Sequence, residues 1–278
     1  MEIDMAAFRC GLIGAGIGTS LSPALHEAEG RHHHLGLTYT LFDTGKTADL
    51  ERLLDEADRA GFAGLNITHP FKQQVIEHLD DLSPLARDIN AVNTVVFRDG
   101  RRQGHNTDAY GFAESFRSQL PDVAVRHVVQ LGAGGAGAAC AHALRELGAE
   151  RLTIVDPDRA RGAELADRIG ARHATTATPE LLADADGLVN ASPIGMHHHP
   201  GTPLPAESLH RGLWVADIVY MPLETELLRA ARARGLRTIG GTAMCAYQAA
   251  AAFELFTGRT PDIARMLLHL SQILERQC

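Results

Sequence analysis

Cysteine is scarce in this sequence, and its arrangement argues against two kinds of protein. The four cysteines, Cys10, Cys140, Cys245 and Cys278, are widely separated and form no Cys-x-x-Cys pair. The pattern speaks against a disulfide scaffold or a thiolate metal site and favours reduced, structural thiols in a cytoplasmic protein. The acidic start, Met-Glu-Ile-Asp-Met, also lacks the basic and apolar regions of a signal peptide.

Excess positive charge and long apolar runs are lacking as well. The chain has 26 Lys and Arg against 34 Asp and Glu, which argues against nucleic acid as a partner because phosphate binding needs a basic face. No polybasic run suggests a membrane surface, and no apolar run reaches the roughly 20 residues that span one. With 45% hydrophobic residues, the composition predicts a globular protein with a sizeable core.

The order of apolar runs and turn residues predicts an α/β protein with alternating strands and helices. We expect a strand over Phe8–Ile13 and a helix with Ser22 as its N-cap. A further helix is predicted to begin at Pro70, and a further strand covers Ala91–Phe97. These elements belong to the first part of the chain.

The chain is predicted to divide into two domains. We place the first over residues 1–110 and the second over residues 111–241, with a short helical joint near Tyr110–Ser118. Residues 242–278 read as two further helices that return to the first domain and complete it.

A glycine-rich segment marks the second domain as a Rossmann-type dinucleotide-binding domain. It follows the apolar strand Val128–Leu131, precedes an Ala-rich helix, and consists of Gly132, Ala133, Gly134, Gly135, Ala136 and Gly137. In this fingerprint the first glycine permits a tight turn, the second admits the pyrophosphate, and the third lets helix and strand pack closely.

The residues after the next strand predict which dinucleotide is used. Asp156 lies about 20 positions after Gly137, where an acidic residue can bind the ribose hydroxyls. Asp158 adds a second carboxylate, which disfavours the 2′-phosphate of NADP, so we expect NAD. Arg159 and Arg161 weaken the prediction, because either could be recruited to a phosphate.

Polar segments follow the predicted strands of the first domain, where open α/β sheets bind ligands. Their hydroxyl, amide and ionic groups suggest a small polyhydroxylated ligand. Oxidation of an alcohol needs a base for the hydroxyl proton, a role open to Lys72, with Asp108 holding the amine and the substrate hydroxyl in line. Alone, such a lysine is commonly a surface residue and such an aspartate a helix cap.

Together the motifs resemble those of the shikimate dehydrogenase family, in the usual order and over nearly the whole chain. They are Ser20-Leu21-Ser22-Pro23, NITHPFK at 66–72, AVNT at 91–94, NTD at 106–108, GAGGAG at 132–137, NASPIGM at 190–196 and Tyr220-Met221-Pro222. The acidic Asp156-Pro157-Asp158 with Arg161 looks like the NAD-using quinate/shikimate branch rather than the Asn-Arg-Thr of NADP-dependent members.

The resemblance implies a role for each matching residue. Lys72 matches the catalytic lysine and Asp108 its partner. The remaining matches are Ser20 and Ser22 for the substrate carboxylate; Asn66, Thr68, Asn93, Tyr220 and Gln248 near the ring hydroxyls; and Ser192, Ile218 and Gly241 along the cofactor. The implied reaction is hydride transfer between NAD and the ring 3-position of shikimate or quinate, which serves aromatic amino acid biosynthesis or quinate catabolism.

The sequence is less consistent with two other functions and with a metal site. A methylenetetrahydrofolate-type dehydrogenase would need pterin-stacking aromatics, but aromatics are only 5% of the chain. A non-catalytic sensor of NAD or quinate would be free to lose Lys72 or Asp108, and both are present. His32-His33-His34 is not interpreted as a metal site, because consecutive helical residues point about 100° apart. His197-His198-His199 follows Met196 in a predicted loop and is interpreted as part of a solvated loop rather than as a metal site. Hydride transfer to nicotinamide needs no metal. The choice between shikimate and quinate, the direction of flux and the formation of a homodimer stay open.

Overall fold

The computed structural model describes residues 8–45 and 47–276 and divides into two compact units. The first unit comprises Met1–Thr107 and Ala246–Cys278, and the second comprises Asp108–Cys245. The acidic start of the chain and Cys278 lie outside the described residues. No helix within the described ranges is both long and apolar enough to cross a membrane.

Strands and helices alternate along the chain. The first part contains β1 (Arg9–Gly14), α1 (Ser22–His32), β2 (Thr38–Asp43), α2 (Leu50–Arg59), β3 (Phe62–Ile67), β4 (Asp81–Leu82), α3 (Pro84–Ile89), β5 (Thr94–Arg98) and β6 (Arg101–His105). The middle part contains α4 (Asp108–Gln119), β7 (His127–Leu131), α5 (Gly135–Glu146), β8 (Arg151–Val155), α6 (Arg159–Ile169), β9 (Arg172–Ala174), α7 (Pro179–Leu182), β10 (Gly187–Asn190), β11 (Trp214–Asp217), α8 (Glu226–Ala233) and β12 (Arg237–Gly240). The chain ends in α9 (Gly241–Thr257) and α10 (Ile263–Glu275).

The first unit is built on a mixed sheet with the strand order β2-β1-β3-β5-β6-β4. β1 runs parallel to β2 and β3, whereas β5 is antiparallel to β3 and β6. Asn66 near the end of β3 pairs with Thr94 at the start of β5. The end of β3, the start of β5 and the end of β6 therefore share one edge of the sheet.

Helices cover both faces of this sheet. α2 presents Leu50, Leu53, Leu54 and Ala57 on one stripe, the spacing of an amphipathic helix, and they pack against Phe62 and its neighbours in a buried cluster. Asp49 caps α2 by accepting from the N–H of Arg52 at 3.0 Å.

The C-terminal helices pack on the first sheet, as predicted. Phe253 and Phe256 of α9 belong to the same buried cluster as Cys10 and Leu12 of β1. α10 is tied to α1 by the Arg265 guanidinium, whose Nη2 donates to the buried Glu29 carboxylate at 2.6 Å.

The second unit is a parallel six-stranded sheet with the order β12-β11-β10-β7-β8-β9. All five residues of β7 are buried, as expected for a central strand covered on both faces. This is the strand order of a Rossmann fold, which binds ligands where the order reverses, here between β7 and β10. The predicted α/β fold with a Rossmann-type domain is confirmed.

Three local predictions were wrong. Ser22 is not the N-cap of α1: the cap is Leu21, without a side-chain bond, and Ser22 is the first helical residue. No helix begins at Pro70; a turn leads to a short 3-10 helix over Gln74–His78 and leaves Lys72 in the turn. The strand expected from Ala91 begins at Thr94, because the preceding residues form the loop that contacts Lys72 and Thr107.

Candidate active site

The glycine-rich turn after β7 has the geometry that a pyrophosphate needs. Gly132 has a φ of 97°, a left-handed conformation that glycine adopts without strain. A Cβ at Gly134 would meet no atom within 4 Å, so the backbone there is open to a ligand. A Cβ at Gly137 would lie 2.3 Å from the Gly132 carbonyl oxygen, so only glycine fits. The first N–H groups of α5, from Gly135 and Ala136 onward, are of the kind that can bind an anion.

Gln130 stabilises this turn and was not identified from the sequence. Its Nε2 donates to the carbonyl oxygens of Gly132 at 2.9 Å and Gly137 at 2.8 Å. The side chain is fully buried on β7. Its position two residues before the first glycine was the available signal.

The Asp156 carboxylate organises the turn after β8. Its Oδ2 accepts from the N–H of Ala133 at 2.7 Å and from Nε of Arg161 at 3.2 Å. Its Oδ1 accepts from the N–H of Asp158 at 2.9 Å and from Nη2 of Arg161 at 2.7 Å. Burial opposes ionisation, but the bonds from Arg161, Ala133 and Asp158 outweigh it and lower the pKa of Asp156. These four donors fill the lone-pair positions of one carboxylate.

Asp158 and Arg159 carry the more exposed charges of this turn. Asp158 caps α6, and its Oδ1 accepts from two N–H groups of the first turn at 3.1 and 3.2 Å. Its side chain is 52% exposed. Arg159 lines an open cavity of about 510 Å³, whereas Arg161 is bound to Asp156. The accessible carboxylate at this turn is therefore that of Asp158.

Ser192, Ile218 and Gly241 lie at the ends of β10, β11 and β12. The Ser192 hydroxyl donates to Oδ1 of Asn190 at 2.7 Å, and Nδ2 of Asn190 donates to Oδ1 of Asp217 at 3.0 Å. The N–H of Ile218 donates to the Asn190 carbonyl at 3.0 Å. A Cβ at Gly241 would lie 2.2 Å from the Ile218 carbonyl oxygen. A hydrogen-bond network thus holds Ser192 and Ile218 at the carboxyl end of the sheet, and Gly241 packs closely against Ile218 beside them.

The buried Asp217 in this network is a second residue that sequence reasoning missed. It also accepts from the Thr225 hydroxyl at 2.7 Å and from the N–H of Val219 at 3.1 Å. Burial raises the pKa of Asp217 to about 6, against the effect of these bonds and of Asn190. Asn190, which donates to Asp217, begins the NASPIGM segment. That segment was the sequence signal from which this network could have been inferred.

Ser20 and Ser22 contact each other in the loop after β1. The Ser20 hydroxyl accepts from the N–H of Ser22 at 3.3 Å and donates to the Ser22 hydroxyl at 3.2 Å. Both side chains are half-buried. Two hydroxyls side by side can bind the two oxygens of one carboxylate.

Asn66, Thr68 and Asn93 meet at the edge where β3 ends and β5 begins. The Asn66 amino group donates to the Asn93 carbonyl at 3.1 Å, and the N–H of Ile67 donates to the same oxygen at 2.8 Å. The N–H of Thr68 donates to the Ile13 carbonyl at 2.9 Å, which places Thr68 beside the end of β1 and its serine loop.

Lys72 and Thr107, the residue directly before Asp108, are both bonded to the loop before β5. The Lys72 carbonyl accepts from the N–H of Val92 at 2.7 Å. The Asn93 side chain accepts from the N–H of Thr107 at 2.7 Å and donates to its hydroxyl at 2.8 Å. Asp108 follows directly as the first residue of α4 and is buried. Consecutive loop residues thus hold the backbone of Lys72 and the residue before Asp108.

Tyr220 and Gln248 complete the predicted substrate residues. Tyr220 follows β11 in the second unit, and Gln248 lies on α9 in the first; both are half-buried. Burial, with a smaller contribution from the Cys245 charge, raises the pKa of Tyr220 to about 12. At neutral pH Tyr220 therefore keeps its proton and can form hydrogen bonds but cannot act as a base.

The histidine runs lie in two different places, and the second directly follows the NASPIGM segment that contains Ser192. His32 ends α1, with His33 and His34 following it, and His197–His199 lie in the loop after β10. Within residues 8–45 and 47–276, no three His, Cys, Asp or Glu side chains are grouped to hold a metal ion.

Comparison with known proteins identifies relatives over nearly the whole chain. A model of the shikimate dehydrogenase substrate binding domain matches residues 12–95, and one of the shikimate 5′-dehydrogenase C-terminal domain matches residues 241–267. A shikimate dehydrogenase (NADP(+)) of Streptomyces avermitilis is 54% identical, covering 96% of this chain and 96% of that protein. A quinate/shikimate dehydrogenase (NAD(+)) of Corynebacterium efficiens is 49% identical, covering 92% of this chain and 95% of that protein.

A solved structure agrees with these matches. Quinate dehydrogenase from Corynebacterium glutamicum in complex with NAD superposes with a TM-score of 0.90 at 44% identity, covering 96% of this chain and 99% of that chain. The NAD-dependent relatives support the cofactor predicted from Asp156 and Asp158, although the S. avermitilis relative is named for NADP. The predicted family is confirmed: the chain belongs to the shikimate dehydrogenase family of NAD(P)-dependent oxidoreductases.

Proposed function

We propose that this protein transfers hydride between NAD and the ring 3-position of shikimate or quinate, interconverting the 3-hydroxyl and the 3-ketone. The first unit is the substrate-binding domain, and the second is the NAD-binding domain. The observation that carries the proposal is that the single loop Val92–Asn93 binds both the Lys72 carbonyl and Thr107, the residue directly before Asp108. That loop also contacts Asn66, so hydroxyl-binding and proton-accepting groups share one edge of the sheet.

Lys72 accepts the hydroxyl proton of the substrate in the oxidation direction. An amine is a suitable general base when a neighbouring group holds it in line with the proton. Asp108 is the residue proposed for that role, and Asn93 fixes the residue directly before it through two hydrogen bonds to Thr107. Tyr220 is the weaker alternative, since its raised pKa keeps the phenol protonated.

Ser20 and Ser22 bind the substrate carboxylate through their hydroxyls. Their contact places both oxygens on one short loop, and a hydroxyl that donates to a carboxylate forms a charge-assisted bond. Thr68 lies at the neighbouring strand end, and Tyr220 and Gln248 supply further hydrogen bonds to the ring hydroxyls.

The residues of the second unit fit a dinucleotide. Gly134 leaves its surroundings open where a pyrophosphate approaches the backbone, and α5 offers its N-terminal N–H groups. When bound, NAD supplies the acceptor for the hydride of the substrate carbon. The exposed Asp158 carboxylate repels a 2′-phosphate, and Arg161 is neutralised by Asp156. NAD is therefore the preferred cofactor.

The cellular setting proposed is the reducing cytoplasm. Cys10 is a fully buried residue of β1, and burial raises the pKa of its thiol to about 12. Only the thiolate reacts readily, so Cys10 is a structural residue, as expected for a protein that does not depend on disulfides.

Steady-state kinetics with purified protein test the proposed function. Shikimate and quinate are each assayed with NAD and with NADP, and kcat/KM is compared for the four pairs. We expect turnover of at least one of the two acids with NAD, at a higher kcat/KM than with NADP. Absence of turnover with both acids would refute the proposed substrate, and equal or better use of NADP would refute the proposed cofactor preference.

A further inference from the structure

A continuous chain of side-chain hydrogen bonds crosses the first sheet at the edge that carries Asn66. It runs from Tyr39 to Asn66 at 2.7 Å, to Thr94 at 2.9 Å, to Asn93 at 3.1 Å and to Thr107 at 2.8 Å. Each of these five residues is at most 6% exposed. The chain joins β2, β3 and β5 to the segment directly before Asp108.

The directions of these bonds are fixed by two backbone groups: the Asn93 carbonyl orients the Asn66 amide, and the Thr107 N–H, which donates to Oδ1 of Asn93 at 2.7 Å, orients the Asn93 amide. The Asn66 amide has a nitrogen 3.1 Å from the Asn93 carbonyl oxygen, and a carbonyl can only accept. The amino group of Asn66 must therefore face that carbonyl, and its Oδ1 must face Tyr39. The Tyr39 hydroxyl is consequently the donor in its bond to Asn66.

The remaining bonds follow in one order. The second N–H of Asn66 donates to the Thr94 hydroxyl oxygen. The Thr94 hydroxyl in turn donates a hydrogen bond to Oδ1 of Asn93. The Asn93 amino group then donates to the Thr107 hydroxyl. Both N–H donors of Asn66 are used within the protein, so Asn66 can offer a substrate only the second lone pair of Oδ1.

We propose that Tyr39 and Thr94 are positioning residues that orient Asn66 as a pure acceptor and fix Asn93 against the residue before Asp108. A substrate hydroxyl at Asn66 must therefore donate its proton there, and a ketone or ether oxygen at the same place would meet a lone pair. This inference rests on the proposed function, because it explains how Asn66 would select one ring hydroxyl of the proposed substrate.

The test replaces the hydroxyls of the chain without changing side-chain shape. Thr94→Val and Tyr39→Phe each remove one hydroxyl, Thr94→Ser retains it, and Thr153→Val is a matched control on a buried strand of the other sheet. Loss of one buried hydrogen bond should lower kcat/KM for the acid substrate about tenfold, with the KM for NAD unchanged. Thr94→Ser and Thr153→Val should stay close to wild type. Wild-type activity of Thr94→Val, or equal impairment of Thr94→Ser, would overturn the proposal.

A second measurement is independent of turnover. Urea midpoints are compared for ligand-free wild type, Tyr39→Phe, Thr94→Val and the double variant. Because both residues bond to the same Asn66 amide, the two shifts in the urea midpoint should be non-additive. Purely additive shifts would overturn the proposed series of hydrogen bonds. If wild type oxidises neither shikimate nor quinate, the proposed function fails, and the urea series still decides the bonding of Tyr39 and Thr94.

Discussion

The Arg161 guanidinium donates two hydrogen bonds to the Asp156 carboxylate, from Nη2 at 2.7 Å and from Nε at 3.2 Å. Asp156 is buried, whereas the Arg161 side chain is 46% exposed. The pair therefore keeps an arginine at the cofactor turn without leaving its charge available to a phosphate. Bidentate pairing of this kind is specific as well as strong.

Breaking the pair should change the cofactor preference. Asp156→Ala removes both hydrogen bonds from Arg161 and leaves it only the longer ion pair with Asp158 at 3.8 Å, so Arg161 can turn to a 2′-phosphate. The ratio of kcat/KM for NADP to that for NAD should then rise about tenfold, the value of one charge-assisted bond. NAD binding should also weaken, because Ala133 loses its acceptor. Adding Arg161→Ala should abolish the gain with NADP, and persistence of the gain would contradict this role of Arg161.

The glycine turn offers a matched pair of substitutions. Gly134→Ala meets open space at a φ of −71°, so the protein should fold normally while the methyl group hinders the pyrophosphate and raises the KM for NAD. Gly137→Ala forces a Cβ against the Gly132 carbonyl and should lower the free energy of unfolding. Calorimetry and NAD titration separate the two effects. Normal NAD affinity in Gly134→Ala would contradict a pyrophosphate at this turn.

The serine pair predicts a defect in substrate binding. Ser20→Ala should raise the KM for shikimate or quinate, at a cost of about 1–3 kcal/mol for the lost bond to a carboxylate. Ser271→Ala on α10, which removes an exposed hydroxyl, serves as the control. A carboxylate paired to an arginine in a substrate complex would refute the role of Ser20.

Burial of His26 predicts a loss of stability in acid. Both ring nitrogens lack a hydrogen-bond partner, the ring stacks on Tyr39 at 4.7 Å, and burial lowers its pKa from 6.5 to about 3. A histidine kept neutral in the fold contributes full stability above pH 6.5 and loses it as the pH falls toward 3, at about 1.4 kcal/mol per pH unit.

The measurement compares urea unfolding of wild type and His26→Leu between pH 7 and pH 4.5. His26→Leu should remove this part of the pH dependence, and the exposed His32→Gln should retain it. A pH dependence in His26→Leu as steep as that of wild type would show that another group is responsible.

Local patterns allowed much of the fold and of the cofactor site to be predicted. The apolar β7, the glycines after it and Asp156 are close in sequence, and their context is set by one strand, one turn and one helix. Lys72 was misplaced on a helix because Pro70 suits the start of a helix and a turn equally well.

The contacts that could not be predicted join residues distant in sequence. Tyr39, Asn66 and Thr94 lie on different strands, and their hydrogen bonds depend on strand order and register. Neither order nor register is visible in a single sequence. The Arg161–Asp156 pair is local, but its geometry depends on where α6 begins, so the sequence indicated Arg161 both as part of the NAD-type motif and as a residue open to a phosphate, without its bonds to Asp156.

The pH dependence of kcat for wild type, Lys72→Ala, Asp108→Asn and the double variant tests the proposed catalytic pair most directly. Lys72→Ala should lower kcat by ~10²–10⁴-fold, the usual contribution of a general base, with NAD affinity nearly unchanged. Asp108→Asn should also lower kcat, because the amide keeps the shape of the side chain but removes the charge proposed to position the amine. The double variant should be little worse than the worse single variant, since the two residues act as one unit. Near-normal kcat with an unaltered pH profile in Lys72→Ala would contradict the account.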